Sequence, residues 1–227
     1  MNEIKKSQKR FYLRKFKKYG DNSRALGWNS RECQYLRFQK ISELFRYEKF
    51  GHFTVHEVGC GLGHFKSYLD ENQWNVRYSG SDIVEDFIDT CRKKFPDCSF
   101  YVENIANDLD QINSDIKGGD YYCLSGTFNP KGDTPIDRWE KFIFKSIENM
   151  YNMANKGICV NFLTTYCDYF NDNLYYADPG RIIDWSIRKC SRFISFHHDI
   201  PLYEYFMYIY KEDFLKEIYP GYSKYFR

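Results

Sequence analysis

Three glycines at alternate positions, Gly59, Gly61 and Gly63, follow a short apolar run that predicts a strand. Glycine permits a tight turn and a close approach of the backbone to a ligand, and the helix predicted to follow would present unpaired N–H groups there. A dinucleotide fingerprint would have its third glycine where His64 stands, and the pattern of a P-loop does not occur in the chain. The loop predicts either a nucleotide-like ligand or a structural turn.

Two carboxylates and an amide accompany the loop. Asp82 ends the next predicted strand, 19 residues after Gly63, and can accept hydrogen bonds there from both hydroxyls of a ribose. The strand after that ends at Asn104 and Ile105, where an amide and an apolar side chain suit an adenine ring. Glu57 lies just before the glycines and is an acceptor for a ligand ammonium. These residue types suit a nucleoside ligand.

The elements that must position these residues alternate along the chain. The predicted strands are 53–58, 76–82, 99–105, 120–128 and 157–166, and the predicted helices are 30–48, 64–72, 83–94, 137–155 and 181–190. Two further strands, 191–200 and 203–211, predict a hairpin that closes the chain. Such alternation implies right-handed crossovers and a mostly parallel sheet that is covered on both faces.

The glycine run with its acidic partners resembles the class I S-adenosylmethionine (SAM)-dependent methyltransferases. In that family an acidic residue precedes G-x-G-x-G, as Glu57 does here, and an acidic residue after the second strand binds ribose, as Asp82 would. The pair after the third strand frames the adenine, which matches Asn104 and Ile105, although the family often has Asp in place of Asn104. The resemblance covers roughly residues 30–211.

The resemblance implies a three-layer, Rossmann-like α/β fold. Its mostly parallel sheet would have seven strands, with an antiparallel strand from the C-terminal hairpin and a helical extension at the N-terminus. We expect a single domain, in which residues 1–50 form a helical cap or arm and residues 51–227 form the core. SAM is the implied cofactor and S-adenosylhomocysteine (SAH) the product.

The segments Gly27–Ser30 and Gln34–Phe38 resemble a small-molecule-acting subset of the family, in which the helix before the sheet lies over the methionine end of the cofactor. Arg37 would then pair with the cofactor carboxylate, or it is an ordinary surface arginine on an amphipathic helix. The residues predicted to bind the cofactor are Glu57, Gly59, Cys60, Gly61, Gly63, Asp82, Ile83, Asn104, Ile105, Ser125 and Arg37.

The substrate is expected beyond the carboxyl ends of the fourth and fifth strands, where ligands of parallel sheets bind. The segment Leu124–Pro130 is superficially like the Asn-Pro-Pro-aromatic signature of enzymes that methylate DNA bases, but it has one proline, and its aromatic residue comes first. The segment after the fifth strand is rich in tyrosine, which suits either contact with a cation or ordinary packing. The predicted substrate-binding residues are Tyr12, Tyr19, Trp28, Phe128, Asn129, Tyr175, Arg181, His197 and Tyr203, and the candidate catalytic residues are Tyr166, Tyr176 and His198.

Charge and cysteine content limit the binding partners and the cellular compartment that we expect for the protein. The net charge is +2, but residues 1–24 contain nine basic and two acidic residues. This basic segment could contact nucleic acid, an anionic membrane or a phosphorylated substrate, or it could be the solvated face of a helix lying on the body. None of the eight cysteines forms a C-x-x-C pair, so we expect reduced thiols, no metal site and a cytoplasmic protein. No apolar run reaches the roughly 20 residues of a membrane span.

The sequence favours methyl transfer to a small molecule, and within it N-methylation of a small amine that carries an anionic group, such as ethanolamine phosphate. Arg181, with a Lys or Arg of the basic N-terminal segment, is expected to bind the anionic group. O-methylation of a sugar or a small acid is the alternative. An RNA or protein methyltransferase that uses the basic segment, or a nucleotide-binding protein without catalysis, are further alternatives. Nucleic acid is disfavoured as a partner, and the protein is expected to be a monomer or a homodimer.

Overall fold

One mixed sheet forms the centre of the molecule in the computed structural model, which describes residues 2–48 and 52–226. Its strands are β1 (Phe53–Val58), β2 (Val76–Asp82), β3 (Ser99–Val102), β4 (Tyr121–Leu124), β5 (Gly157–Thr164), β6 (Tyr176–Ala177), β7 (Ile194–His197) and β8 (Glu204–Tyr210). The order across the sheet is β3-β2-β1-β4-β5-β8-β7, and the short β6 pairs with β5 to one side of this path. Strands β1 to β5 run parallel, whereas β8 runs antiparallel to both of its neighbours.

Helices cover both faces of this sheet and create the three layers. They are α1 (Asn2–Tyr19), α2 (Arg31–Ser42), α3 (His64–Glu71), α4 (Glu85–Lys94), α5 (Ile136–Met153), α6 (Pro179–Lys189) and α7 (Glu212–Ile218), and short 3-10 turns lie at Ser23–Leu26, Glu43–Phe45, Ser114–Ile116 and Pro220–Tyr225. Local chemistry fixes several helix starts. The Ser30 hydroxyl caps α2 by accepting from the N–H of Cys33 (3.2 Å), and the Asp178 carboxylate caps α6 by accepting from the N–H of Arg181 (3.0 Å).

The apolar core lies on both sides of the sheet. Helices α5 and α6 bury Trp139, Ile143 and Ile182 against one face, and α2 and α3 bury Phe38 and Phe65 against the other. Strand β8 is buried along its whole length, because a strand with neighbours on both edges and helices on both faces has no side open to water. The predicted three-layer fold, with its parallel sheet, its antiparallel hairpin strand and its N-terminal helical extension, is confirmed.

Helix α1 lies against the body, as its amphipathic pattern predicts. The rings of Tyr12 and Phe16 contact the edge of the Phe87 ring at centroid distances of 6.2 and 5.3 Å. The predicted domain boundary at 50–51 lies outside the described residues. In the part of the chain that the structure describes, no helix is both long enough and apolar enough to cross a bilayer.

Several elements differ from those that the sequence predicts. Strand β4 ends at Leu124 rather than at residue 128, because Gly126 has a φ of +67° that a strand does not accommodate. Strand β3 ends at Val102, so Asn104 and Ile105 lie in the loop beyond it. The predicted hairpin is followed by α7, a seven-residue helix whose Phe214 and Leu215 are buried. So few apolar residues in so short a segment give a weak helical pattern, which is why the sequence did not predict it.

Candidate active site

The glycine loop between β1 and α3 has a backbone that other residues adopt only under strain. Gly59 and Gly61 have φ values of +70° and +54°. A Cβ on Gly59 would stand 2.4 Å from Oγ1 of Thr127, and a Cβ on Gly61 would stand 2.8 Å from Cδ2 of Leu26. The N–H groups of Gly59 and Cys60 donate to the carbonyl oxygen of Ser81, which ties the loop to the end of β2. Both conformation and space therefore require glycine here.

The carboxylate of Asp82 lies directly beside this loop. The N–H of Gly61 donates to its Oδ2 (3.0 Å) and the N–H of Val84 donates to its Oδ1 (2.9 Å). Burial raises the pKa of Asp82 to about 6, although these backbone donors oppose the shift. Each oxygen of the carboxylate has a further lone pair for a ligand hydroxyl.

A second acid, Glu57, faces the same space from the end of β1. It is 3% exposed, and the hydroxyl of Tyr78 donates to its Oε2. Burial, with a smaller contribution from the nearby Asp82, raises the pKa of Glu57 to about 8, against the opposing effect of the Tyr78 hydrogen bond. Two carboxyl groups thus share a desolvated space, and a ligand with a positive charge would favour the ionised form of Glu57.

These groups line a crevice that we call the glycine-loop crevice, and residues of α1 line it as well. Its lining includes Glu57, Gly59, Cys60, Gly61, Asp82, Ile83, Asn104, Ile105 and Ser125, together with Ile4, Gln8 and Tyr12 of α1. The amide of Asn104 is held by the N–H of Ala106 and the side chain of Asn107. The buried hydroxyl of Ser125 has no hydrogen-bond partner among the described residues. It is the kind of group that a bound ligand satisfies.

A second space, the aromatic crevice, meets the first one along a shared wall. It is lined by Phe11, Tyr12, Lys15, Leu26, Trp28, Asn29, Cys33, Arg37, Gly126, Asn129, Tyr169, Tyr203 and Glu204, among others. Tyr12, Leu26, Trp28 and Gly126 line both crevices. Gly126 allows this arrangement, because a Cβ there would stand 2.3 Å from Cη2 of Trp28.

A buried polar network holds the shared wall in place. The Arg37 guanidinium donates to both oxygens of Glu204, with its Nε 2.9 Å from Oε2 and its Nη2 2.5 Å from Oε1. The side-chain amide of Asn161 donates to Glu204 (2.8 Å) and accepts from the N–H of Gly126 (2.8 Å). The guanidinium also lies 4.3 Å from the ring centroid of Trp28. Arg37 therefore has its charge compensated and positions Trp28.

Similarity to known proteins agrees with this geometry. No protein-family model matches the chain. It is 29% identical over 156 residues to Rv1506c of Mycobacterium tuberculosis, named as a methyltransferase whose activity is presumed, and the match covers 67% of this chain and 90% of the relative. The structure of magnesium protoporphyrin IX methyltransferase from Synechocystis PCC 6803 with bound SAH matches with a TM-score of 0.59 and 12% identity, over 92% of this chain and 97% of that one. A SAM-dependent methyltransferase from Archaeoglobus fulgidus matches with a TM-score of 0.58 and 16% identity, over 80% and 95%.

This chain is a methyltransferase of the class I fold. The kind of enzyme and the fold predicted from the glycine run are confirmed. The glycine-loop crevice lies at the carboxyl ends of β1, β2 and β4. The order in which strands are added to the sheet reverses between β1 and β4, and ligands of parallel sheets bind at such a point.

The methyltransferase brings most of the predicted cofactor residues together. All of them line the glycine-loop crevice except Gly63 and Arg37. Gly63 directly precedes α3, has a φ of +71° and does not line the crevice. Arg37 lies in the aromatic crevice and is paired with Glu204, so its predicted contact with the cofactor carboxylate gains no support from the geometry.

Four of the predicted substrate residues, Tyr12, Trp28, Asn129 and Tyr203, line the aromatic crevice. Two other predicted substrate residues, Tyr175 and Arg181, line a separate crevice together with the candidate catalytic residue Tyr176. There the guanidinium of Arg181 donates to both oxygens of Glu140 (2.6 and 2.7 Å), and the Tyr175 hydroxyl donates to the same carboxylate (3.0 Å). The charge that was predicted to bind a substrate anion is therefore already compensated within the chain.

The remaining predicted residues line none of these three crevices. Phe128 is fully buried against Phe162 and Phe142, so its ring has no surface for a substrate. The others are Tyr19, Tyr166, His197 and His198. Strand β5 ends at Thr164, and the chain then turns outward, which leaves Tyr166 71% exposed. The roles predicted for these residues have no support from their positions.

Sequence reasoning missed residues that the methyltransferase presents to its crevices. Helix α1 contributes Ile4, Gln8 and Lys15 besides the predicted Tyr12, at spacings that share one helical face. That spacing was the available signal. Gln34 and His64 also line the glycine-loop crevice, with the Gln34 amide 3.2 Å from Nδ1 of His64.

Proposed function

We propose that this methyltransferase transfers the methyl group of SAM to a small molecule held in the aromatic crevice. The observation that supports this most strongly is the wall shared by the two crevices, at Tyr12, Leu26, Trp28 and Gly126. Direct displacement at a methyl group needs donor and acceptor on opposite sides of one point. The two crevices adjoin at these four residues, so a donor in one and an acceptor in the other would lie next to each other.

The residues of the glycine-loop crevice fit SAM. Gly59 and Gly61 line the crevice with bare backbone, and the unpartnered Ser125 hydroxyl has a hydrogen bond to offer. In our assignment, Asp82 accepts from the ribose hydroxyls and Glu57 accepts from the ammonium of the methionine moiety. Ile83, Asn104 and Ile105 hold the adenine.

Bound SAM supplies an electrophilic methyl group, so the protein mainly aligns the reactants and excludes water. Helix α1 covers the glycine-loop crevice with Ile4 and Tyr12, and Trp28 is fixed between Gly126 and Arg37. Good alignment of this kind contributes roughly 7–11 kcal/mol to lowering a reaction barrier. In this assignment Trp28 and Tyr12 hold the acceptor against the methyl group.

Within this function we favour N-methylation of an amine that carries an anionic group. A hydroxyl acceptor needs a general base in the transition state, whereas an amine can lose its proton beforehand. Glu204 lines the aromatic crevice, but its carboxylate already accepts hydrogen bonds from Arg37 and Asn161 and is therefore a poor general base for a hydroxyl. Ethanolamine phosphate is a small compound with the required amine and anion.

The proposal is tested by titrating SAM and SAH into the protein by calorimetry and then screening amines, sugars and small acids for SAH production. We expect micromolar cofactor binding and turnover with amines that also carry an anion. Absence of SAM binding would refute the proposal as a whole. Turnover with hydroxyl compounds alone would retain methyl transfer and refute N-methylation, and a requirement for RNA, with steep loss of affinity in salt, would refute a small acceptor.

A further inference from the structure

We infer that the acceptor is an aromatic amine with an acidic substituent, and that Lys15 binds the acidic group. The inference rests on the proposed function, because it names the substrate class of the aromatic crevice. It adds a ring to the amine and anion already argued, and it replaces Arg181 with Lys15 as the anchor for the anion.

The ammonium of Lys15 belongs to the crevice rather than to the solvent-facing side of α1. Lys15 lines the aromatic crevice, and its Nζ lies 4.7 Å from the centroid of the Phe11 ring. Its Nζ also lies 3.4 Å from the place where a Cβ on Gly27 would be, so the side chain folds over the loop that leads to Trp28. Five of the other seven basic residues of α1 are exposed, namely Lys6, Arg10, Arg14, Lys17 and Lys18, whereas Lys5 lines the glycine-loop crevice and Lys9 is half-buried.

Among the described charged residues that line the aromatic crevice, Lys15 carries a charge that no neighbouring charge compensates. Arg37 and Glu204 compensate each other through a buried ion pair. Among the described residues, no carboxylate forms an ion pair with Lys15. The lining therefore has a net charge of about +1, and charge complementarity favours an acceptor with one acidic group.

Aromatic side chains from four parts of the chain form the apolar walls of this crevice. Phe11 and Tyr12 come from α1, Trp28 from the loop before α2, Tyr169 from the segment after β5 and Tyr203 from the turn before β8. The last two rings meet edge to face, with centroids 5.9 Å apart. Rings in such positions offer edges and faces to another ring, in the geometry that aromatic pairs prefer.

The positions of Tyr12 and Lys15 on α1 orient the acceptor. Tyr12 belongs to the wall shared with the glycine-loop crevice, whereas Lys15 lines only the aromatic crevice. Three residues of helix separate the two Cα atoms by about 4.5 Å along the axis. An aromatic ring spans such a distance, so a molecule whose acidic group contacts Lys15 can present an amine on the opposite side of its ring to the shared wall.

The test compares three probes that each isolate one feature. 4-Aminobenzoate has ring, amine and anion, aniline has no anion, and phosphoethanolamine has no ring. Their dissociation constants are measured by calorimetry on SAH-saturated protein, for the natural chain, Lys15→Met and the matched control Lys17→Met, which removes an exposed lysine of the same helix. Thermal unfolding and the dissociation constant of SAH report on the integrity of each variant.

We expect 4-aminobenzoate to bind at least tenfold more tightly than either of the other probes. Lys15→Met should weaken its binding at least tenfold and leave aniline unchanged, while Lys17→Met changes neither. Equal binding of aniline and 4-aminobenzoate, equal losses for both in Lys15→Met, tighter binding of phosphoethanolamine, or no binding of any probe would each overturn the inference. The proposed function fails separately, through absence of SAH binding in the natural chain.

Discussion

The two crevices of this methyltransferase are built in different ways. The glycine-loop crevice takes its shape from backbone: positive φ angles, N–H groups of the loop, and a carboxylate at the next strand end. The aromatic crevice is shaped by side chains from α1, from the loop before α2 and from the segments around β5 and β8. The first arrangement suits a ligand that never changes, and the second can change with a few side chains. We therefore read the first as the cofactor site and the second as the site of substrate choice.

The largest expected effect tests the glycine-loop crevice at its carboxylate. Asp82→Ala should raise the dissociation constant of SAH by more than 100-fold, because a hydrogen bond to a charged group contributes roughly 1.5–3 kcal/mol and two are lost. Calorimetry measures the constant, and circular dichroism checks the fold. Asp86→Ala, which removes an exposed acid at the start of α4, is the matched control. Unchanged affinity in Asp82→Ala would remove the ribose role from Asp82.

A smaller loss is expected from the loop backbone. Gly59→Ala should weaken SAH binding by about 30-fold, since a non-glycine residue at positive φ costs of order 1–3 kcal/mol and the new Cβ also meets Thr127. The control is Gly118→Ala, because Gly118 has a φ of +78° but nothing within 4 Å of its Cβ position. Calorimetry and thermal unfolding on both variants separate strain from collision. Equal losses of SAH affinity in the two variants would contradict a tight loop.

A dependence on pH should distinguish the crevices further. Burial raises the pKa of Glu57 to about 8, so the free protein holds Glu57 mostly protonated at pH 7, and a ligand ammonium favours its carboxylate. SAH binding should therefore tighten by about fivefold from pH 7 to pH 8. Without ligand, the raised pKa stabilises the fold at low pH, and this contribution is lost as the pH rises toward 8. Glu57→Gln should abolish the change in affinity, measured by calorimetry across this range, and a persistent slope would assign it to another group.

The smallest expected effect on catalysis is that of Arg181→Ala. Arg181 belongs to the third crevice and is bound to Glu140, so the Michaelis constant of an acceptor should stay within about twofold of the natural value. The melting temperature should fall instead, because Glu140 is buried and loses its partner. Arg181→Lys serves as the control that retains the charge. A large rise in the Michaelis constant without loss of stability would return Arg181 to the substrate site.

The sequence predicted the fold correctly, and most residues that it assigned to the cofactor lie together in one crevice, for a physical reason. Strand and helix periodicity depend on neighbouring residues, and the turn at Gly59 and Gly61 depends on the residue type itself. Asp82 follows from a fixed place at the end of the next strand. The predictions for Phe128 and Tyr166 gained no support, because composition does not show whether an aromatic ring after a strand turns into the core or out to solvent.

By itself, then, the sequence determined the alternation of elements, the glycine turn and the acids that flank it, all of which depend on short stretches of chain. Only the tertiary structure decided which charges compensate each other and which remain. Arg37 meets Glu204 across 167 residues, and Arg181 meets Glu140 across 41. Lys15 remains over the aromatic crevice because the docking of α1 turns one helical face inward. Charge pairing follows from which strand ends and helix faces come together in space, and residue order does not reveal those distances.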